Sequence, residues 1–275
     1  MIELAAVAAL LFGAAATPNL PPPPAHVVIV VEENKESDHI VGNVRSAPYI
    51  NGLIARGAYF TRSYGVAHPS QPNYMALFAG VRNRHGDRCP PPGIDTNAPN
   101  LATELRDAHR TFAGYAEDLP AAGSRVCWSG QYARKHVPWA SFDNVLASEN
   151  LPLSALPADY EKLPTVSFII PNLLDDMHSA SIERGDAWLK AHVGPIVDWA
   201  MKHDTLVIVT WDESDDFFGN HIPTIFIGPM VRPGRYDEPV THYRVLRTIE
   251  DLYGLAHAGG AAQAQPLTDI WLGRP

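Results

Sequence analysis

The chain has 275 residues, a formal net charge of −9, 46% hydrophobic residues and 19% charged residues. That length carries a substantial core, and the composition excludes an intrinsically disordered chain. The acidic balance leaves no basic stripe to neutralise a phosphate backbone, which excludes nucleic acid as a partner. It suits a protein that spends carboxylates on a cation, although solubility alone explains it equally well.

Residues 1–16 are almost wholly apolar and end in Ala14-Ala15-Ala16. The run is too short to span a bilayer, so no stable membrane insertion is expected. Its small-residue end is that of a secretory cleavage site, which predicts a signal peptide and a secreted or periplasmic protein, although Glu3 stands where a basic start is usual. Residues 17–25, with Pro21 to Pro24, read as a Pro-rich linker, and 26–275 as one domain. From residue 26 strands and helices alternate. The β-branched run 26–31 is a strand buried on both faces. Residues 48–56 form a helix stopped by Gly57, 58–64 a strand, and the segment after Ser70 a short apolar helix ending near Gly80. A helix at 101–108 precedes a strand at 111–116. Strands at 165–170 and 205–211 flank a helix whose apolar face is Leu189, Val193, Ile196, Val197 and Ala200. A strand at 222–227 and a helix at 242–253 close the chain. Residues 89–100 and 124–164 read as loops and cap elements. The alternation predicts an α/β fold, a mostly parallel central sheet sandwiched by helices. Cys89 and Cys127 are the two cysteines. They form a disulfide if the chain is exported and stand as separate buried thiols if it is not.

The chemistry concentrates at the ends of the predicted strands, where open α/β sheets bind ligands. In H-P-S-Q-P-N-Y (68–74) a hydroxyl, Ser70, stands at the start of a helix, with Pro72 in the first turn. Free N–H groups there favour a bound anion, though a serine before a helix is usually a plain N-cap. The strand 26–31 runs into Glu33 and Asn34. The strand 165–170 runs into Asn172 and then Asp175, Asp176 and His178. The strand 205–211 runs into Asp212 and Glu213, and His221 precedes the next strand. Carboxylates gathered at one rim repel unless a cation holds them. A divalent ion, or two, on Glu33, Asn34, Asp212 and Glu213 would activate Ser70 as nucleophile and polarise a phosphoryl oxygen. His178, Asp186 and His221 are expected to bind the phosphate, assist the leaving group or hold a second ion. His68 and Asn73 beside Ser70, and Lys135 and His136 in Y-A-R-K-H, are expected around the phosphate, the last two adding positive charge.

The segments V-V-E-E-N, H-P-S-Q-P-N-Y, G-Y-A-E-D-L-P, Y-A-R-K-H, I-I-P-N-L-L-D-D-M-H, T-W-D-E and N-H-I-P-T, in this order, resemble the phosphoesterase family. That family contains bacterial and fungal acid phosphatases and related phospholipases C, within the alkaline phosphatase superfamily. The resemblance implies an alkaline-phosphatase-like sheet, metal at Glu33 and Asn34, and a phosphorylated nucleophile at Ser70. It also implies the acidic pair Asp212 and Glu213, with Asp176, His178, Asp186 and His221 near the phosphate or a second ion. Phe217-Phe218 departs from the short polar loop expected there. The expected activity is a metal-dependent phosphomonoesterase acting on a small phosphate ester. A phospholipase C-like phosphodiesterase and a non-catalytic phosphate- or metal-binding protein are the alternatives. A serine acyl-hydrolase is disfavoured because no G-x-S-x-G elbow is present.

Overall fold

The structure is a computed structural model that describes residues 20–215 and 219–272. The leader expected at 1–16 and the Phe217-Phe218 departure lie outside the described residues. The strands in chain order are β1 (His26–Glu32), β2 (Ala58–Phe60), β3 (Ser63–Tyr64), β4 (Phe112–Ala116), β5 (Trp128–Ser129), β6 (Tyr132–Ala133), β7 (Asn150–Pro152), β8 (Val166–Ile170), β9 (Thr205–Trp211), β10 (Thr224–Ile227), β11 (Gly234–Tyr236) and β12 (Val240–Thr241). The α-helices are α1 (Ser37–Ile40), α2 (Pro48–Arg56), α3 (Gln71–Ala79), α4 (Leu101–Asp107), α5 (Ile182–Trp188), α6 (Gly194–Ala200) and α7 (His242–Tyr253).

Eight strands form one sheet in the order β11-β2-β10-β9-β1-β8-β4-β7. All run parallel except β10, which is antiparallel to both β9 and β2. The mostly parallel α/β fold expected from the sequence is therefore present. Strand β1 lies at the centre, with Val28 opposite Ser167 of β8 and Val207 of β9. Successive side chains of a strand face opposite sides. Val27, Ile29 and Val31 accordingly join the core with Tyr74, Leu77 and Phe78 of α3, Leu105 of α4 and Leu246 and Ile249 of α7. Val28 and Val30 join the other core with Ile50 and Leu53 of α2 and Ile196 and Val197 of α6. Both faces are covered, so the polar groups of the site are left to the rim where β1, β2, β8 and β9 end.

Four local details differ from the sequence reading. The single strand expected at 58–64 is split by a turn at Thr61-Arg62, and β3 leaves the main sheet to pair with β12. The helix carrying Leu189 to Ala200 passes through a π-helical stretch, Leu189–Val193, before α6. Pro195 at the start of α6 lacks the N–H that a continuous α ladder needs. The strand read at 222–227 begins at Thr224 and runs antiparallel. The region read as loop at 124–164 supplies core: Trp139 and Phe142 are fully buried, and Trp139 packs 5.8 Å from Phe168. Gly114 of β4 makes room for that indole, since a Cβ there would lie 2.1 Å from Trp139 Cε2. Cys89 and Cys127 form a disulfide.

Candidate active site

Strand β1 ends at Glu32, and the chain turns at Asn34 with φ +32°, a left-handed conformation that asparagine tolerates better than most residues. The turn places Glu33 and Asn34 beside the end of β9, where Asp212 and Glu213 follow. The Asn34 backbone N–H donates to Asp212 Oδ1 at 3.2 Å, and Asn34 Nδ2 donates to Glu213 Oε1 at 3.0 Å. Helix α7 backs this corner, with His242 Nε2 2.6 Å from the Asp212 carbonyl oxygen. Carboxylate oxygens of Glu33, Asp212 and Glu213 all lie within 4.8 Å of one another, and all three residues are buried.

Ser70 precedes α3 but does not act as its cap, since its side chain makes no hydrogen bond to the helix. Its Oγ donates instead toward Glu33 Oε2 at 3.0 Å and Glu213 Oε1 at 3.1 Å. The plain N-cap reading of Ser70 is thereby excluded. His68 Nδ1 pairs with Glu213 Oε2 at 2.5 Å. His136 bridges Glu33 Oε1 (3.0 Å, from Nε2) and Asp176 Oδ2 (3.3 Å, from Nδ1) while stacking on Tyr74 at 5.1 Å. Lys135 Nζ donates to Asp87 Oδ2 at 2.8 Å and lies 3.5 Å from His178 Nε2.

Burial lifts Glu33 and Asp212 well above the ordinary carboxylate range. Asp176 pushes Glu33 further, and Glu33 pushes Asp212. Burial likewise raises Glu213, and carries Asp176 up to about 8. Burial opposes the charge on Lys135, but Glu33 and Asp87 hold it above its usual value. Burial and then Lys135 push His136 well down and His178 down to about 4. The balance of burial and neighbours thus favours the charged form of Lys135 and disfavours that of His136.

Three hard oxygen donors within one ion's reach suit a divalent cation. Two further observations fit that group. Asp212 Oδ2 and Asn34 Oδ1 are buried acceptors with no hydrogen-bond partner among the described residues. Buried acceptors call for a donor or a cation, and an ion at this rim would take both lone pairs.

The other expected site residues are placed differently. Asp186 does not join the cluster: its two oxygens accept from Tyr49 N (3.1 Å) and Ile50 N (2.8 Å) and so cap α2. Asn73 is spent on the loop before Ser70, accepting from Val66 N and Ala67 N and donating to Ala67 O. His221 turns to Thr61 O at 3.0 Å, with Glu36 at 3.6 Å on its other nitrogen. Asp176 stands behind His136 rather than in the carboxylate triad, and accepts from His178 N at 2.8 Å. Sequence reasoning missed Asp87, whose Oδ1 accepts from Gln71 N at 2.9 Å while Oδ2 holds Lys135. A lone aspartate in a Gly/Pro-rich loop carries no pattern to find it by. Asn220 was also missed, although it begins the segment N-H-I-P-T. It accepts from Ser214 N at 2.8 Å and donates to Ala67 O at 2.9 Å, tying the Asp212-Glu213 loop to the loop before Ser70.

Comparison with known proteins identifies the family and the fold. The model of the phosphoesterase family matches residues 44–256. A phosphatidylinositol-3-phosphatase of Mycobacterium tuberculosis is 51% identical over 244 residues, covering 87% of this chain and 80% of that one. A probable acid phosphatase of Kluyveromyces lactis is 28% identical, over 82% of this chain and 58% of its own length. Among solved structures, a protein of the alkaline phosphatase superfamily from Vibrio parahaemolyticus superposes with a TM-score of 0.64 at 14% identity, over 91% of this chain and 72% of that one. The fold is the one those structures share, and the chain belongs to the phosphoesterase family, as an enzyme that hydrolyses phosphoric ester bonds.

Proposed function

We propose that the chain is a divalent-cation-dependent phosphomonoesterase that works through a phosphoserine at Ser70. The observation that carries this reading is the direction of the Ser70 hydroxyl, which faces Glu33 and Glu213 instead of its own helix. Glu33, Asp212 and Glu213, with Asn34 Oδ1, are the donors that would hold the cation. The chemistry such an ion supplies is a lowered pKa for a hydroxyl beside it and polarisation of a phosphoryl oxygen. Ser70 Oγ attacks phosphorus and gives up its proton along its hydrogen bond to a carboxylate. The bond from phosphorus to the ester oxygen breaks, and the departing alcohol takes a proton from water. A second water then attacks the phosphoserine, releasing orthophosphate and restoring the hydroxyl. Lys135, fixed by Asp87, supplies positive charge beside the phosphate, and His136 orients Glu33.

A second reading is favoured by the 51% identical relative, which is named for a phosphoinositide. In it the monoester is carried by an inositol phospholipid rather than by a small soluble alcohol. No helix among the described residues is long and apolar enough to cross a membrane. The disulfide suits an oxidising compartment and supports the exported location read from the leader.

The test is hydrolysis of p-nitrophenyl phosphate and bis-p-nitrophenyl phosphate by protein stripped of metal and resupplied with single divalent ions. Turnover of the monoester restored by an ion, with Asp212→Asn binding less metal by elemental analysis, is the expected result. Preference for the diester would favour the phospholipase C-like alternative. Full turnover after stripping would refute the metal requirement.

A further inference from the structure

Beside the nucleophile lies a cleft of about 400 Å³ lined by His68, Pro72, Arg82, Asn83 and Arg84. One wall is the site itself, since His68 is ion-paired with Glu213 and Pro72 is in the first turn of α3. The opposite wall is the loop R-N-R-H-G, residues 82–86. This loop is fixed from inside. Asn83 is buried, donating to Gly86 O at 2.9 Å and accepting from His85 N at 2.8 Å. Gly86 has φ +64°, and a Cβ there would lie 3.3 Å from Pro69 Cγ, so the loop packs directly against the residue before Ser70. With Asn83 turned inward, Arg82 and Arg84 are both exposed. Neither is ion-paired among the described residues, although acidic residues outnumber basic ones in the chain, 30 to 21.

Two guanidinium groups without an ion-pair partner among the described residues, on a braced loop that packs at Gly86 against Pro69, offer charge to an anion in the cleft. The reacting phosphoryl group has its own cation in Lys135, which Asp87 holds. We infer that the Arg82/Arg84 cleft binds a second anionic group carried on the leaving alcohol, so that the preferred substrate is a phosphomonoester whose alcohol bears another phosphate, esterified or free. This rests on the phosphomonoesterase reading and names its substrate class. Arginine forks suit phosphate oxygens in a bidentate way, and the exposed position admits a headgroup of either a lipid or a soluble bisphosphate.

The experiment compares kcat/KM for inositol 3-phosphate, inositol 1,3-bisphosphate and monomeric dioctanoyl phosphatidylinositol 3-phosphate, with p-nitrophenyl phosphate as the reference ester. Wild-type protein is expected to favour the bisphosphate over the monophosphate by roughly tenfold, the scale of one or two charge-assisted hydrogen bonds. In R82Q/R84Q that ratio should fall close to one, and R82K/R84K should recover a part of it. The lipid should match the bisphosphate if a phosphodiester is read as well as a free phosphate. A ratio near one in the wild type overturns the inference, as does an unchanged ratio in R82Q/R84Q. Selectivity for the lipid without selectivity for the bisphosphate overturns it too, because acyl chains would then carry the preference. Failure to hydrolyse any of the esters, p-nitrophenyl phosphate included, refutes the phosphomonoesterase reading itself.

Discussion

Glu104 of α4 and Glu250 of α7 meet in the interface between their helices, both buried. Ala258 N–H donates to Glu250 Oε1 at 2.9 Å, and Glu104, whose oxygens find no donor among the described residues, faces the Glu250 carboxyl. Burial, with Asp107 adding repulsion, pushes Glu104 up to about 7, and burial with Glu104 nearby pushes Glu250 up to about 8. In the unfolded chain both titrate near 4.5. Between 4.5 and about 8 the folded protein thus holds protons that the unfolded chain has released, and its stability falls as pH rises through that window. Below 4.5 the pair contributes no pH dependence. Glu104→Gln removes one of the two ionisations and keeps a hydrogen-bonding group of the same size. For a group moved from 4.5 to about 7 the ceiling on the gain at alkaline pH is roughly 3 kcal/mol. Relaxation of the helix pair reduces this to about 2 kcal/mol, or about 4 °C in thermal midpoint for a chain of this size. Melting wild type and variant side by side from pH 4.5 to pH 8.5 should show curves that coincide at the acid end and separate toward pH 8. Parallel curves, or a variant less stable at pH 8, would refute the reasoning.

The other predictions follow from single contacts. Ser70→Ala should lower turnover by on the order of 10⁴ or more and leave no phosphoprotein after acid quench, with an unchanged circular dichroism spectrum; turnover within tenfold of wild type would remove Ser70 as nucleophile. Asp186→Ala should cost about 1–2 kcal/mol of stability through the lost cap of α2, with kcat/KM held within about twofold. A hundredfold loss of activity in that variant would return Asp186 to the phosphate site. Replacing Cys89 and Cys127 together by serine, at a sequence separation of 38, should cost about 4 kcal/mol in urea denaturation, and equal stability would show the bond to be idle.

Much of the site was legible because a parallel sheet sends its strand ends to one rim. Glu33, Asn34, Asp212 and Glu213 could be placed from the two buried runs that precede them, and Ser70 from the helix start that follows it. The residues that were misplaced are polar groups whose role depends on what a distant segment offers. Asp186 lies at a helix N-terminus 136 residues away in sequence, and nothing in its own neighbourhood indicates that. His221 precedes a strand as expected, but β10 enters the sheet antiparallel, and a short apolar run carries no direction. Trp139 and Phe142 belong to 3₁₀ turns and their flanks, which lack the periodicity by which buried helices and strands are recognised.

The disulfide closes a ring. Cys89 lies two residues after Asp87, Cys127 is joined to Arg134 by a 3.0 Å hydrogen bond from Arg134 N to Cys127 O, and Lys135 returns to Asp87. A ring of links tolerates one cut, because the path round the other side still holds both ends in place. Severing the disulfide alone, or Lys135 from Asp87 alone, leaves the ammonium near its position; severing both releases it from the start of α3, where Asp87 holds Gln71 N. The two losses are therefore coupled, and the double variant will lose more activity than the two single variants together predict.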